Sequence, residues 1–351
     1  MERPTSKPIG HHYLGLDTPT VVVNTDLLKS NIKNAKSSLY GTSCKLIPNV
    51  GTHGTAEIAR YQTNSNHDLP VFVDTFQQAQ SFANNGFKNI IIESPPVGVG
   101  KVESLQRLVS TAHITVSLSS LAHLDFLKHF PMENISVLFR IRNKSDSVGI
   151  GTHQELLELV KLLVEHFTIY WKGLITVSKG SDSLEESFKE ILSAEAFLQS
   201  HFFTSNELLI NTSNQPLSKA HPTLPSKITG LISGNYPFEV NGSVSACSVV
   251  STVMSTPEPG RAYIDCGQKA IGIDRGIPSV VNYENALIEK MSAEHGYLVF
   301  NSADINLKIG DKVLLRPANY SDTFNLYDFI NLIKDDRLEL VIETTARGAF
   351  K

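Results

Sequence analysis

The stretch PVFVDTFQQAQSFANNGFKNIIIES, residues 70–94, contains the repeating unit that decides the fold. A short apolar run, PVFVD, precedes a segment with apolar residues at helical spacing, and a second run, NIIIES, follows it. Thr75 stands where a helix N-cap is preferred, and Gly86 stands where a glycine often ends a helix. A strand, a helix and a second strand in this order predict a βαβ unit of a parallel sheet.

The same alternation extends from about residue 45 to residue 232. Eight apolar runs can be counted: KLIPNV at 45, PVFVD at 70, NIIIES at 89, HITVSL at 113, SVLFRIR at 136, YWKGLITV at 170, ELLINT at 207 and KITGLIS at 227. Runs separated by helical segments predict an α/β fold, a (β/α)8 TIM-like barrel, ahead of an open doubly wound sheet.

After residue 234 the pattern changes to β-branched runs and turns, such as CSVVSTVMS and LELVIETT, which predict a C-terminal all-β domain. The strand-like segment TPTVVVNTD at 18–26 precedes the first helical pattern, so we expect it to join that β domain. The predicted organisation is therefore an N-terminal segment 1–25 that joins the β domain, a barrel 26–236 and a β domain 237–351.

Charge and cysteine content narrow the class of protein. The chain has 351 residues, with 31 basic against 35 acidic residues and a formal charge of -4, and it has no long basic run. This balance argues against nucleic-acid and membrane partners and favours a small-molecule ligand. Three cysteines without a CxxC pair predict neither a disulfide framework nor a zinc ribbon. With no secretory h-region and no run of roughly 20 apolar residues, we expect a cytoplasmic protein.

Polar residues at the carboxyl ends of the predicted strands are candidates for chemistry, because barrel enzymes place their reacting groups there. His53 is a candidate general acid or base, and the alternative is that it only hydrogen-bonds its own loop. Tyr236 and Asp74 are the other catalytic candidates. His295, beside Glu294, either anchors a ligand or ties two loops together. The candidate substrate-binding residues are Asn49, Arg140, Arg142, Asn211, Thr212 and His295; Glu93 and Ser117 also end predicted strands.

Five strings in order resemble segments of one family, the fold-type III pyridoxal-phosphate proteins of the D-threonine aldolase and D-serine dehydratase kind. They are LDTPTVVVNTDLLKSNI at 16–32, LIPNVGTHGTAEIARYQ at 46–62, GLISGNY at 230–236, IDCGQKAIGIDRG at 264–276 and SAEHG at 292–296. The resemblance covers nearly the whole chain. It implies an alanine-racemase-like barrel followed by a β domain, a pyridoxal-phosphate cofactor and a homodimer.

Several positions depart from the family pattern. Gly51 occupies the place of the lysine that holds the cofactor as a Schiff base, and a glycine has no amine. Residues 211–216 stand where the family pattern has a glycine-rich phosphate cradle. Their side chains obstruct the close backbone approach to a phosphate that glycine allows. Asn319 and Ser321 occupy the places of two metal ligands, and both are weak ligands. These departures predict no cofactor and no metal, with non-covalent pyridoxal phosphate left open.

Three functions follow from this combination. The first is a repurposed enzyme that acts on a small polar or amine-bearing molecule by acid–base chemistry without pyridoxal phosphate, as a lyase, cyclase or isomerase. The second is a non-catalytic pseudoenzyme that binds a small molecule or a partner. The third is a residual pyridoxal-phosphate-dependent D-amino acid lyase.

Overall fold

The computed structural model describes residues 4, 7–127, 135–144, 147–179, 184–213, 217, 224–238, 245–301 and 304–351. Its chain divides into two compact units. The barrel unit comprises Lys33–Gly51, Ile58–Gly234 and Ala349–Lys351, and the β unit comprises Met1–Ile32, Thr52–Glu57 and Asn235–Gly348. The units are therefore interleaved along the chain, whereas the predicted organisation has boundaries at 25/26 and 236/237.

In the described residues, the barrel unit contains a sheet of eight parallel strands. With strands numbered in chain order, these are β2 (Lys45–Pro48), β3 (Val71–Val73), β4 (Asn89–Ile92), β5 (His113–Leu118), β6 (Ile135–Arg140), β7 (Tyr170–Val177), β8 (Glu207–Asn211) and β9 (Gly230–Ser233). Strands β3 to β9 pair in sequence order, and β9 pairs with β2. A parallel bridge between Asn49 and Phe72 nearly closes the sheet. The predicted barrel is confirmed.

The helices alternate with these strands as the sequence predicts. They are α1 (Thr25–Ser37), α2 (Ala56–Thr63), α3 (Phe76–Asn84), α4 (Val99–Leu108), α5 (Leu121–Leu127), α6 (His153–His166) and α7 (Leu184–Ser200), with α8 (Tyr320–Asn325) in the β unit. Helix α3 begins with a capping box, in which Thr75 and Gln78 each accept a hydrogen bond from the other's backbone N–H. Gly86, at φ +94°, follows the C-cap Asn85 and turns the chain toward β4.

The barrel interior is an apolar layer to which most strands contribute one side chain. Seven of the strands supply Ile47, Phe72, Ile91, Leu138, Ile175, Leu209 and Ile232, none more than 3% exposed. On β5 the corresponding interior position is occupied by Thr115, which pairs in register with Ile91 on β4. Burial of each large apolar side chain stabilises the fold by about 1.5–3 kcal/mol, so this layer holds the sheet in its closed form.

The β unit contains a second, mostly antiparallel sheet. In the described residues it consists of β1 (Thr20–Asn24), β10 (Cys247–Ser255), β11 (Arg261–Ile264), β12 (Ser279–Val280), β13 (Leu287–Met291), β14 (Gly296–Val299), β15 (Lys312–Arg316), β16 (Phe329–Lys334) and β17 (Arg337–Glu343). Strand β1 lies between β10, which it pairs antiparallel, and β16, which it pairs parallel. The N-terminal strand is thus an interior strand of the sheet that follows the barrel.

The cysteines are buried and free. Burial raises the pKa of the Cys44 thiol to about 12, so the reactive thiolate form is scarce at neutral pH. Among the described residues, no helix has the length and apolar character needed to cross a bilayer.

The amino end of the barrel, its base, contains a polar cluster. The Nε2 atom of His113 lies 2.9 Å from the Oγ atom of Ser136. The Nζ atom of Lys172 lies 3.4 Å from the Oε1 atom of Glu207. Burial lowers the pKa of His113, and the charge of Lys172 lowers it further, while Glu207 acts in the opposite direction. The folded protein therefore favours neutral His113.

This preference predicts a pH-dependent loss of stability. In the unfolded chain His113 takes up a proton near its ordinary pKa of about 6.5, whereas folded His113 resists protonation. We expect the free energy of unfolding to fall as pH decreases through and below that value. The variant His113→Gln should reduce this slope, and His166→Gln, at an exposed helix end, should leave it unchanged. Urea unfolding between pH 5 and pH 8 measures both, and equal slopes in wild type and His113→Gln would contradict the assignment.

Candidate functional site

A ring of polar side chains stands at the carboxyl end of the barrel. Side chains alternate between the two faces of a strand, so the residue two positions after each interior residue also points inward. Six of these eight positions hold polar residues and two hold Val177 and Gly234. The six polar residues, here called the mouth ring, are Asn49, Asp74, Glu93, Ser117, Arg140 and Asn211. The polar ring above an apolar layer is the arrangement that barrel enzymes use for their sites.

An ion pair spans part of the ring. The Nη1 atom of Arg140, on β6, lies 2.9 Å from the Oε1 atom of Glu93, which follows β4. Strand β5 lies between these two strands, and it carries Ser117. The hydroxyl oxygens of Ser117 and of Thr115 below it are buried and make no hydrogen bond to any of the residues that the structure describes. A buried hydroxyl without a partner costs about 1–3 kcal/mol, so these two groups mark a place that a polar ligand or water would stabilise.

The position of the expected lysine is crowded. A Cβ atom on Gly51 would lie 2.8 Å from Asp74 Oδ2, 2.8 Å from Gln78 Oε1 and 3.0 Å from Asn49 Oδ1. Asn49 accepts a hydrogen bond from the backbone N–H of Gly51 and donates one to Asp74, at 3.0 and 3.3 Å. Gln78 Oε1 accepts the backbone N–H of Asp74 at 2.8 Å. We call Asn49, Gly51, Asp74 and Gln78 the Gly51 cluster.

Gln78 is the member of this cluster that the sequence reasoning missed. Its signal was present, because Thr75 and Gln78 form the Thr-x-x-Gln pattern of a capping box. That pattern predicts where α3 begins, but it does not predict that the same amide oxygen lies beside Gly51.

The first backbone N–H groups of the loop after β8 form hydrogen bonds within the protein. The backbone N–H of Ser213 donates to Asn211 Oδ1 at 2.9 Å. The backbone N–H and the hydroxyl of Thr212 both donate to the carbonyl oxygen of Ile232, each at 2.9 Å. These groups are therefore not available to a phosphate in this conformation. The remaining positions of the predicted cradle, 214–216, lie outside the described residues.

Other predicted site residues lie elsewhere. Arg142 is exposed, and its guanidinium lies against the loop of Gly149 and Gly151. His53 and Tyr236 belong to the β unit, where both are buried. The Nδ1 atom of His53 accepts the backbone N–H of Thr55 at 3.1 Å, which is the loop-bonding alternative given above. The catalytic roles of His53, Tyr236 and Asp74 stay predictions.

His295 is exposed, and the string that contains it has a structural task. Its backbone N–H donates to Ser292 Oγ, and its carbonyl oxygen accepts the N–H of Ser292. A Cβ atom on Gly267 would lie within 2.4 to 2.5 Å of backbone atoms of residues 293–295. Only glycine permits this close approach, so the two strings that resemble the family hold one turn of the β unit together.

The expected metal positions are occupied by a helix cap. Asn319 Oδ1 accepts the backbone N–H of Asp322 at 3.2 Å, and Asn319 Nδ2 donates to Asp274 Oδ1 at 2.6 Å. The bond from Asn319 lowers the pKa of Asp274, whereas burial and the charge of Asp274 raise the pKa of Asp322. No group of three or more His, Cys, Asp or Glu side chains suited to a metal occurs within the described part of the chain.

The residues at these positions do not fit a covalently held pyridoxal phosphate. Gly51 provides no amine, and the space that a longer side chain would enter is filled by the Gly51 cluster. The described part of the phosphate loop has its amide groups bonded within the protein. Position 51 therefore offers no side chain to which the cofactor could be bonded.

The crowding at Gly51 predicts a measurable cost for a side chain there. Gly51→Ala should lower the free energy of unfolding by about 1–3 kcal/mol, because oxygens at 2.8 Å must move. The cost should shrink in an Asp74→Ala background, where one of the two closest oxygens is gone. Gly100→Ala, which meets nothing within 4 Å, is the matched control and should be neutral or stabilising. Chemical denaturation measures all four variants, and a Gly51→Ala protein as stable as wild type would contradict the crowding.

Comparison with known proteins gives a consistent set of relatives. Residues 246–333 match the family model described as "Putative serine dehydratase domain". The chain is 22% identical to a 3-hydroxy-D-aspartate aldolase of Paracoccus denitrificans, covering 95% of this chain and 92% of that one. It is 21% identical to a D-threonine aldolase of an Arthrobacter species, covering 98% and 96%. A crystal structure of D-threonine aldolase from Filomicrobium marinum superposes with a TM-score of 0.88 at 20% identity, covering 98% of this chain and all of the other.

These matches correct one prediction. The expectation that no cofactor is used was drawn from the missing lysine together with the altered phosphate cradle. It is wrong, because the family of the matched proteins indicates pyridoxal phosphate. What the structure shows is narrower, namely that Gly51 offers no covalent anchor. The relatives are D-amino acid lyases by name, and the family resemblance drawn from the sequence is confirmed. This chain is similar to the D-threonine aldolases and D-serine dehydratases, and it has the alanine-racemase-like fold of the fold-type III pyridoxal-phosphate proteins.

Proposed function

We propose that the protein binds a small D-amino acid with a hydroxyl group on its β-carbon at the mouth ring. The observation that carries this proposal is the ring itself, which combines the carboxylates of Asp74 and Glu93 and the guanidinium of Arg140 with the buried hydroxyls of Thr115 and Ser117, which make no hydrogen bond among the described residues. A zwitterion needs both signs of charge, and a ligand hydroxyl would bond groups that the protein leaves unsatisfied.

The names of the relatives support the ligand class. Threonine and 3-hydroxyaspartate, in the names of the two aldolases, both carry a hydroxyl on the β-carbon, and both enzymes act on the D form. Serine, in the description of the family model, shares that hydroxyl. This chain carries polar residues at the carboxyl ends of these strands and a glycine at position 51.

The three charged ring residues would have distinct tasks in binding. The guanidinium of Arg140 would hold the ligand carboxylate, exchanging part of its contact with Glu93 for it. The carboxylate of Asp74 would hold the ammonium group of the ligand. Glu93 would keep the rest of its contact with Arg140 and so hold the guanidinium in place.

A second candidate is a D-amino acid lyase that uses pyridoxal phosphate held without a bond to a lysine. The match to aldolases over 92% and 96% of their own lengths favours it, because the whole framework of the relatives is present. Adding pyridoxal phosphate to the assays separates this candidate from simple binding.

The binding proposal predicts selective affinity. Isothermal titration with D-threonine, D-serine and 3-hydroxy-D-aspartate should give binding, and D-alanine, which lacks the hydroxyl, should bind about tenfold more weakly, the value of one hydrogen bond. Asp74→Asn should weaken D-threonine binding by about ten- to a hundredfold, because a charged hydrogen bond contributes about 1.5–3 kcal/mol. Glu158→Gln, on the exposed face of α6, is the control and should bind normally.

Two outcomes would decide against the proposal. Equal affinity for D-threonine and D-alanine would remove the role of the buried hydroxyls. Release of glycine or ammonia only when pyridoxal phosphate is supplied would instead support the lyase candidate. Thermal unfolding of each variant shows whether it is folded under the assay conditions.

A further inference from the structure

A groove on the outside of the barrel unit forms a cavity of about 610 Å³ that the mouth ring does not use. It lies between α3 and α4, and residues Phe350 and Lys351 form another of its walls. All of these segments belong to the barrel unit. The volume falls within the range of about 300–1,000 Å³ that is usual for small-molecule sites.

The wall formed by residues 349–351 is fixed by hydrogen bonds to the start of α3. Thr75 Oγ1 donates to the carbonyl oxygen of Ala349 at 2.6 Å, and the backbone N–H of Gln77 donates to the carbonyl oxygen of Lys351 at 2.9 Å. The N–H of Lys351 donates in return to Gln77 Oε1 at 3.2 Å. Phe350 is held between these anchored residues, yet its surface is 72% exposed.

The groove offers an apolar surface with room beside it. Phe76 and Leu108 line it with side chains that are 4% and 6% exposed, and Val97 adds a side chain that is 45% exposed. Gly98 and Gly100 leave open space, because a Cβ atom at either position would meet nothing within 4 Å. An exposed phenylalanine ring opposite such a surface is suited to cover the apolar body of a ligand.

The charged side chains of the lining are both cationic. They are Lys101 and Lys351, the polar side chains are glutamines and a serine, and no aspartate or glutamate is among the described residues that line the cavity. Side-chain ammonium groups next to apolar surface favour an anion whose remaining body is apolar.

We propose that the groove between α3 and α4 binds a small organic anion with an aromatic or aliphatic body, its anionic group at Lys101 and its body against Phe350. This site is separate from the mouth ring, and the proposal does not depend on the proposed D-amino acid binding.

Two matched dyes test the proposal on the intact protein. The anion 8-anilinonaphthalene-1-sulfonate should bind at one site per chain, and the neutral N-phenyl-1-naphthylamine should bind more weakly. Lys101→Met should weaken binding of the sulfonate by about fivefold and leave the neutral dye unchanged, as expected for one partly exposed ion pair. Phe350→Ala should weaken both dyes by about tenfold, because the covering ring is lost.

The control variant is Lys161→Met on α6, which removes a lysine from the same unit outside the groove and should bind both dyes like wild type. Fluorescence titration gives the affinities, and thermal unfolding shows that each variant is folded. The proposal is overturned if neither dye binds, if both bind equally well, or if Lys101→Met and Phe350→Ala bind like wild type. Competition by D-threonine would also overturn it, since that result would place the dye at the mouth ring.

Discussion

The alternation of side chains along eight parallel strands is the constraint on which the rest of the barrel unit depends. It forces every second residue inward, so one layer can be apolar and hold the sheet closed while the next layer, at the mouth, is polar. The layer from Ile47 to Ile232 and the ring from Asn49 to Asn211 are consecutive steps of that single pattern. A shift of one residue in any strand would exchange an interior side chain for one that faces the helices.

The Gly51 cluster shows that the surroundings of position 51 suit a glycine. Asp74, Gln78 and Asn49 place oxygen atoms around it, and hydrogen bonds to the backbone hold two of them. The same glutamine also caps α3, so the crowding is tied to the start of a helix. The local structure is therefore consistent with glycine at this position and opposed to a long side chain.

Much of the fold was predictable because it depends on local patterns. Short apolar runs, helical spacing and the Thr75 cap predict strands and helices in the correct order. The strand ends include the residues of the mouth ring, but they do not predict that Arg142 is exposed instead. The cofactor expectation was wrong because it inferred the loss of the cofactor from a few altered positions, the lysine and the phosphate cradle among them. A framework shared over almost the full length of the relatives carries information that a single position does not.

The sequence by itself determined the barrel, the second sheet and the absence of an amine at position 51, because each of these follows from residue type and spacing along the chain. Only the tertiary structure decided that Arg140 pairs with Glu93 across β5, that the hydroxyls of Thr115 and Ser117 lack partners, and that Phe350 lies beside a groove of α3 and α4. These features join residues that are distant in sequence, and their distances depend on how strands and helices pack, which no local pattern specifies.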